Sequence, residues 1–138
     1  ELSEADLPKA QELMDDVTFR RVRHIVTENS RVIATVAALK SSALEKLGQL
    51  FEESHASMRD DFEISIPELD LAVETALNAG AIASRMTGGG FGGAAIALID
   101  SSKLSELGDA VAKAFDGAGF SPARVFAVSA SARAKREI

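Results

Sequence analysis

Met86-Thr87-Gly88-Gly89-Gly90-Phe91-Gly92-Gly93 places five glycines in six positions. Glycine gives up more backbone freedom on folding than any other residue, so so dense a block marks a place where side chains must be absent. Two readings of that need stand side by side. Successive N–H groups without Cβ atoms converge into a concavity that suits a phosphate, or the bare backbone merely solves a tight packing problem in a hairpin. On either side lie short apolar segments, residues 81–87 and 94–99, which predict two strands joined by the loop.

Three other glycine motifs fail on what surrounds this one. Gly88, Gly90 and Gly93 satisfy G-x-G-x-x-G, but a dinucleotide fold needs that loop to open a helix, and Ala94-Ala95-Ile96-Ala97-Leu98-Ile99 reads as a strand. A protein-kinase loop does join strands, yet no lysine follows in the next strand and neither H-R-D nor D-F-G occurs. A Walker loop requires Gly-Lys-Ser/Thr, whereas Gly93 is followed by two alanines.

Upstream, the sequence is helical. Asp6 and Pro8 suit the start of a helix that runs to about Met14. From Val17 to about Lys40, Val22, Ile25, Val26, Val32, Ile33 and Val36 recur at helical steps and predict one buried face. Ser41 or Ser42 is expected to begin the next helix, with Leu44, Leu47, Leu50, Phe51 and Met58 as its stripe and Glu45 and Lys46 toward solvent. Ser65-Ile66-Pro67-Glu68 has the spacing of a capping box, and Leu69, Val73 and Leu77 lead to Gly80 as a left-handed terminus. Downstream, Ser101 or Ser102 is expected to cap a helix carrying Leu104, Leu107, Val111 and Phe115 that ends near Gly117 and Gly119. Residues 123–128 predict a last strand, and residues 133–138 a frayed tail. Helices first, then strand, loop, strand, helix and strand, imply an α+β domain with helices packed on a small antiparallel sheet, residues 1–138 forming a single domain.

Composition narrows the function classes. A net charge of −6 lacks the basic footprint of a nucleic-acid binder. With no cysteine and only His24 and His55, neither a disulfide framework nor an imidazole-rich metal site is expected. Apolar runs are too short to cross a bilayer and no basic-then-apolar leader opens the chain, so a soluble, cytoplasmic protein is expected. The opening Glu-Leu-Ser, without an initiator Met, is compatible with a chain cut from something longer.

Two other clusters carry chemistry-bearing residues. Glu53-Ser54-His55-Ala56-Ser57-Met58-Arg59-Asp60-Asp61 holds Ser, His and Asp close together, but no elbow motif surrounds a serine, and such residues at a helix end usually make caps and ion pairs. His55 and Asp60 are therefore expected to act through stability. Arg20, Arg21, Arg23 and His24 form a basic cluster that reads as a solvated helix face. No catalytic or metal-ligating residue emerges.

Three patches together resemble galactokinases, within the GHMP family of small-molecule kinases. They are Arg20-Arg21-Val22-Arg23-His24-Ile25-Val26-Thr27-Glu28-Asn29-Ser30-Arg31-Val32; the stretch from Glu53-Ser54-His55 through Arg59-Asp60-Asp61-Phe62-Glu63 to Ile66-Pro67-Glu68-Leu69-Asp70; and Ser84-Arg85-Met86 with the glycine loop. The resemblance implies the C-terminal, ferredoxin-like domain of a longer kinase that transfers the γ-phosphoryl of MgATP to the anomeric hydroxyl of galactose. It implies that Thr87, Gly88, Gly89, Gly90, Phe91, Gly92 and Gly93 lie beside the phosphates and the sugar, where bulk at Gly90 would narrow the phosphate site. The family's sugar-recognition segment, nucleotide loop, magnesium ligands and catalytic aspartate and arginine belong to the upstream half and have no matching position here. The partner implied is that missing half, and the chain alone is expected to be inactive. Ala94 replaces a cysteine common in relatives, and Ser129-Ala130-Ser131-Ala132 lacks their usual glycine. A stand-alone sugar- or nucleotide-sensing regulatory module with the same fold is the alternative.

Overall fold

A computed structural model describes residues 2–132; the tail expectation for residues 133–138 lies outside them. The element order is a 3-10 turn at Glu4–Asp6, α1 (Leu7–Leu13), α2 (Asp16–Lys40), α3 (Glu45–Asp60), α4 (Pro67–Asn78), β1 (Ala83–Thr87), β2 (Ala94–Leu98), a 3-10 turn at Ser101–Lys103 and α5 (Leu104–Ala118). β1 and β2 form an antiparallel hairpin in which Arg85 faces Ile96 and Thr87 faces Ala94. α3 and α4 pack on β1, α2 lies against α3, and α5 lies against α4. Helices on a small antiparallel sheet are what the sequence order implies.

Local chemistry sets each boundary, not always through the residue the sequence suggests. Asp6 accepts from Ser3 N (2.9 Å) and Ser3 Oγ (2.7 Å), closing the 3-10 turn, so its carboxylate caps nothing in α1. Asp15 caps α2 by accepting from Thr18 N at 3.0 Å. Ser41 does not begin α3: its hydroxyl donates back to Ala37 O at 2.9 Å, satisfying a carbonyl orphaned at the end of α2. The capping box at Ser65 does not form, because Ser65 Oγ donates to Asp70 Oδ1 at 2.5 Å and Ile66 occupies the cap position before Pro67. Neither Ser101 nor Ser102 caps α5: Asp100 caps the 3-10 turn that leads into it, accepting from Ser102 N at 2.8 Å, and α5 begins without a side-chain cap. Gly80, at φ +91, is the expected left-handed exit from α4.

Three apolar clusters hold the layers together. Ala38, Leu47 and Ala83 join α2, α3 and β1; Met58, Leu69 and Met86 join α3, α4 and β1; Ala76, Leu107, Val111 and Phe115 join α4 to α5. Burying each large side chain of this kind stabilises by about 1.5–3 kcal/mol.

Two expectations are corrected. α2 buries only part of its apolar stripe: Val26 is buried and Val22 half-buried, but Ile25, Val32 and Val36 are exposed, and Ile33 is 71% exposed. The face turned to α3 also carries His24, Glu28 and Ala38, the first two paired with the Ser57 and Ser54 hydroxyls of α3. The last strand is absent: residues 120–132 have no regular structure, and Phe126 and Val128 are exposed. After α5 ends at Gly119, Phe120 turns back onto Phe115 with ring centroids 5.8 Å apart. The apolar stretch that follows pairs with neither β1 nor β2, and strand propensity without a partner makes no strand. No helix among the described residues is long and apolar enough to cross a membrane.

Candidate functional site

The glycine loop is held at two points by side chains and a turn from the helical layer. The first is β1, which delivers the chain to it. Arg85 Nη1 donates to Ser54 Oγ on α3 (2.7 Å) and to Glu28 Oε1 on α2 (2.9 Å), while Ser54 Oγ donates to the same Glu28 oxygen at 2.7 Å. Arg31 Nε adds a bond to Glu28 Oε2 at 2.8 Å. Burial alone would raise the Glu28 pKa, but the hydrogen bonds from Ser54 and Arg31 and the charge of Arg85 outweigh it and hold the carboxyl below its usual range. One residue further, Met86 N donates to His55 Nδ1 at 3.3 Å, and His55 Nε2 lies 3.1 Å from Asp70 Oδ1 in a contact too oblique for an aligned hydrogen bond.

The second point is the turn after α3. Arg20 donates to Asp60 O (2.9 Å) and to the Glu63 carboxylate, Arg21 to Asp61 O and Glu63, and Arg23 bidentately to the buried Asp61, with Nε to Oδ2 at 3.0 Å. These bonds help hold Glu63 at φ +59, a left-handed conformation that side chains disfavour. Ile64, the next residue, accepts from Phe91 N at 2.8 Å and so seats the middle of the loop. The basic cluster is structural, as the sequence reading had it, but as a tertiary clasp on the turn after α3 and not a solvated face.

Between these points the loop is open. Gly88 and Gly89 are exposed, and a Cβ on Gly88, Gly89, Gly92 or Gly93 would meet nothing within 4 Å. Among the described residues the N–H groups of Gly88, Gly89 and Gly90 make no backbone hydrogen bond, leaving donors available to an anion. Phe91 is 76% exposed at φ +58. Gly90 differs from its neighbours: a Cβ there would lie 2.4 Å from Ile64 O and 2.6 Å from Ile64 Cβ. Packing against the turn explains this glycine, so bulk at Gly90 would first break the fold, which corrects the expectation that it would simply narrow a phosphate site. Within one loop, tight packing accounts for Gly90, while the backbone at Gly88 and Gly89 is bare and open.

The Ser, His and Asp residues of α3 do not assemble a nucleophilic triad. Ser54 faces Glu28 and Arg85, Ser57 Oγ lies 3.0 Å from His24 Nδ1, and the exposed Asp60 is paired with Arg59 at 2.7 and 2.8 Å. His24 also stacks on Phe62, with centroids 4.6 Å apart. Among the described residues no group of three or more His, Asp or Glu side chains is arranged to hold a metal. What the sequence reading missed is that Glu28, Ser54, Arg85 and Asp70 act on the loop's supports. All four lie inside the quoted patches, but their joint role requires residues 57 positions apart to meet.

Comparison with known proteins agrees with this geometry. The family model described as GHMP kinases C terminal matches residues 35–117. The chain is similar to a galactokinase of Streptomyces coelicolor, at 51% identity over 134 residues that cover 96% of this chain and 35% of that protein. A galactokinase of Mycobacterium tuberculosis is 46% identical over 108 residues, covering 78% of this chain and 30% of that protein. Among solved structures, Lactococcus lactis galactokinase complexed with galactose superimposes with a TM-score of 0.86 at 38% identity, over 91% of this chain and 33% of that one. L. major mevalonate kinase in complex with R-mevalonate matches with a TM-score of 0.56 at 31% identity, over 82% of this chain and 32% of that one. The chain thus spans about a third of the length of the relatives it matches, and it belongs to the GHMP kinase C-terminal family.

Proposed function

We propose that this chain is the C-terminal domain of a longer, cytoplasmic galactokinase, which transfers the γ-phosphoryl of MgATP to the anomeric hydroxyl of D-galactose. In that reaction the anomeric oxygen bonds to the γ-phosphorus, the bond to the β,γ-bridging oxygen breaks, and ADP leaves. The hydroxyl proton passes to a base in the other part of the enzyme, since the Ser, His and Asp side chains of α3 among the described residues are engaged in structural contacts. Phosphoryl transfer is driven mainly by positioning and electrostatic stabilisation, which is work a rigidly held set of N–H donors can do.

The observation that carries this reading is the open pair Gly88-Gly89, with free N–H donors and no side chain in the way, on a loop fixed to the fold at β1 and at Ile64. Thr87, Phe91, Gly92 and Gly93 complete the loop that would face phosphates and sugar. Among the described residues no donor set suits magnesium, so its ligands would lie in the remaining two thirds of the enzyme. The exposed apolar face of α2, with Ile25, Val32, Ile33, Val36 and Leu39, suits packing against that remainder.

A chimera tests the proposal: this chain replaces the matching third of the Streptomyces coelicolor galactokinase, and ADP release is followed with MgATP in the presence and absence of galactose. Galactose-dependent turnover by the chimera, with none from the 138-residue chain alone, is the expected result. A folded chimera without turnover, or turnover by the chain alone, overturns the assignment.

A further inference from the structure

We infer that His55, as the neutral imidazole with its proton on Nε2, is the positioning residue that fixes the approach to the glycine loop, and that a second proton loosens this hold. Met86 is fully buried and its N–H has only a hydrogen to give, so the ring nitrogen it meets at 3.3 Å, Nδ1, must present a lone pair. The ring proton is then on Nε2, beside the Asp70 carboxylate at 3.1 Å, and Asp70 is itself held by Ser65 Oγ at 2.5 Å. Met86 O is met by Arg85 Nε at 3.1 Å. Both polar groups of the residue two positions before Gly88 are thus fixed by side chains, and His55 is the only one of the two that loses its acceptor on protonation.

A cationic His55 would set N–H against N–H in a site 5% exposed to solvent. Several charges face the ring: Asp70 on α4 favours the cation, Arg59 on α3 and Arg85 on β1 oppose it, and Glu52 and Glu74 line the adjoining groove. Burial is the largest influence and keeps the pKa below its ordinary value, so the hold is intact near neutral pH and is released in acid. Its consequence for phosphate handling rests on the function proposed above; the hold itself does not.

The test uses the isotopically labelled 138-residue chain and no nucleotide. Long-range proton–nitrogen spectra are expected to show the Nε2–H tautomer at pH 7.5. On acidification the amides of Met86, Thr87 and Gly88 should shift with the His55 midpoint, and Met86 protection against exchange should fall about tenfold. His55→Asn retains an acceptor near the Nδ1 position without a titrating group, so it should keep Met86 protected and abolish the shared midpoint. His55→Leu should lose the protection at every pH. An Nδ1–H tautomer, loop amides indifferent to the His55 titration, or an unchanged midpoint in His55→Asn would each overturn the inference. An inactive chimera would leave these spectra unaffected, so the two proposals fail separately.

Discussion

Replacing Gly90 by Ala places a Cβ 2.4 Å from Ile64 O and 2.6 Å from Ile64 Cβ, on a residue at φ +81. The left-handed backbone costs an L-residue about 1–2 kcal/mol. Relieving the overlap means moving a backbone carbonyl, since the nearest atom is no flexible side-chain end, and overpacking of that kind costs about 1–3 kcal/mol more. Gly90→Ala should therefore destabilise by about 2–5 kcal/mol, a large fraction of the roughly 5–15 kcal/mol that holds a typical domain together. At about 4 °C per kcal/mol for a chain of this size, the midpoint should fall by roughly 10 °C or more. Far-UV circular dichroism during heating and urea titration is the assay, as the chain has neither Trp nor Tyr. Gly89→Ala is the paired control: its φ is not positive and its Cβ position is empty, so stability should change by less than about 1 kcal/mol. In the chimera, Gly89→Ala should nonetheless depress turnover if phosphate lies against that backbone. A Gly90→Ala protein as stable as its parent, or a Gly89→Ala protein equally damaged, would refute the assignment of Gly90 to packing and Gly89 to the open site.

Glu28→Gln should cost about 2 kcal/mol in urea unfolding, because Arg85 and Arg31 lose a charged acceptor while remaining half-buried; combining it with Arg85→Met should cost less than the sum of the two single changes. His24 and His55 both have pKa values lowered chiefly by burial, so below about 6.5 the unfolded chain takes up protons that the folded chain refuses. Stability should accordingly be full above that pH and decline as pH falls toward the depressed values, by at most about 1.4 kcal/mol per pH unit for each histidine, as read from urea midpoints at pH 7.5 and 5.5. Ile33→Lys, on the exposed face of α2, should change stability by less than about 0.5 kcal/mol yet weaken activity in the chimera if that face packs against the rest of the kinase.

Most of the elements were legible because local rules suffice for them. Helical spacing located α2 to α5, Gly80 and Gly119 ended α4 and α5 in left-handed conformations, and the apolar segments around the glycine block paired as a hairpin. The caps were less legible: the hydroxyls of Ser41 and Ser65 are drawn to Ala37 O and Asp70, leaving Leu44 and Ile66 at the cap positions of α3 and α4, and Asp100 caps the turn before α5. Residues 123–128 had strand propensity, but propensity does not supply the partner edge a strand requires.

The sequence by itself determined that a block of glycines joins two strands beneath a helical layer, because period and turn chemistry are properties of neighbouring residues. Only the tertiary structure decided that Gly90 must lack a side chain and which face of α2 is buried. Glu28, Ser54 and Arg85, like Asp70, His55 and Met86, come from three separate elements, and their contacts exist only once those elements are packed. Along α2, His24 and Glu28 turn inward with Val26 because a buried polar group needs the partners that α3 supplies, which leaves Ile25, Val32, Ile33 and Val36 exposed in this chain.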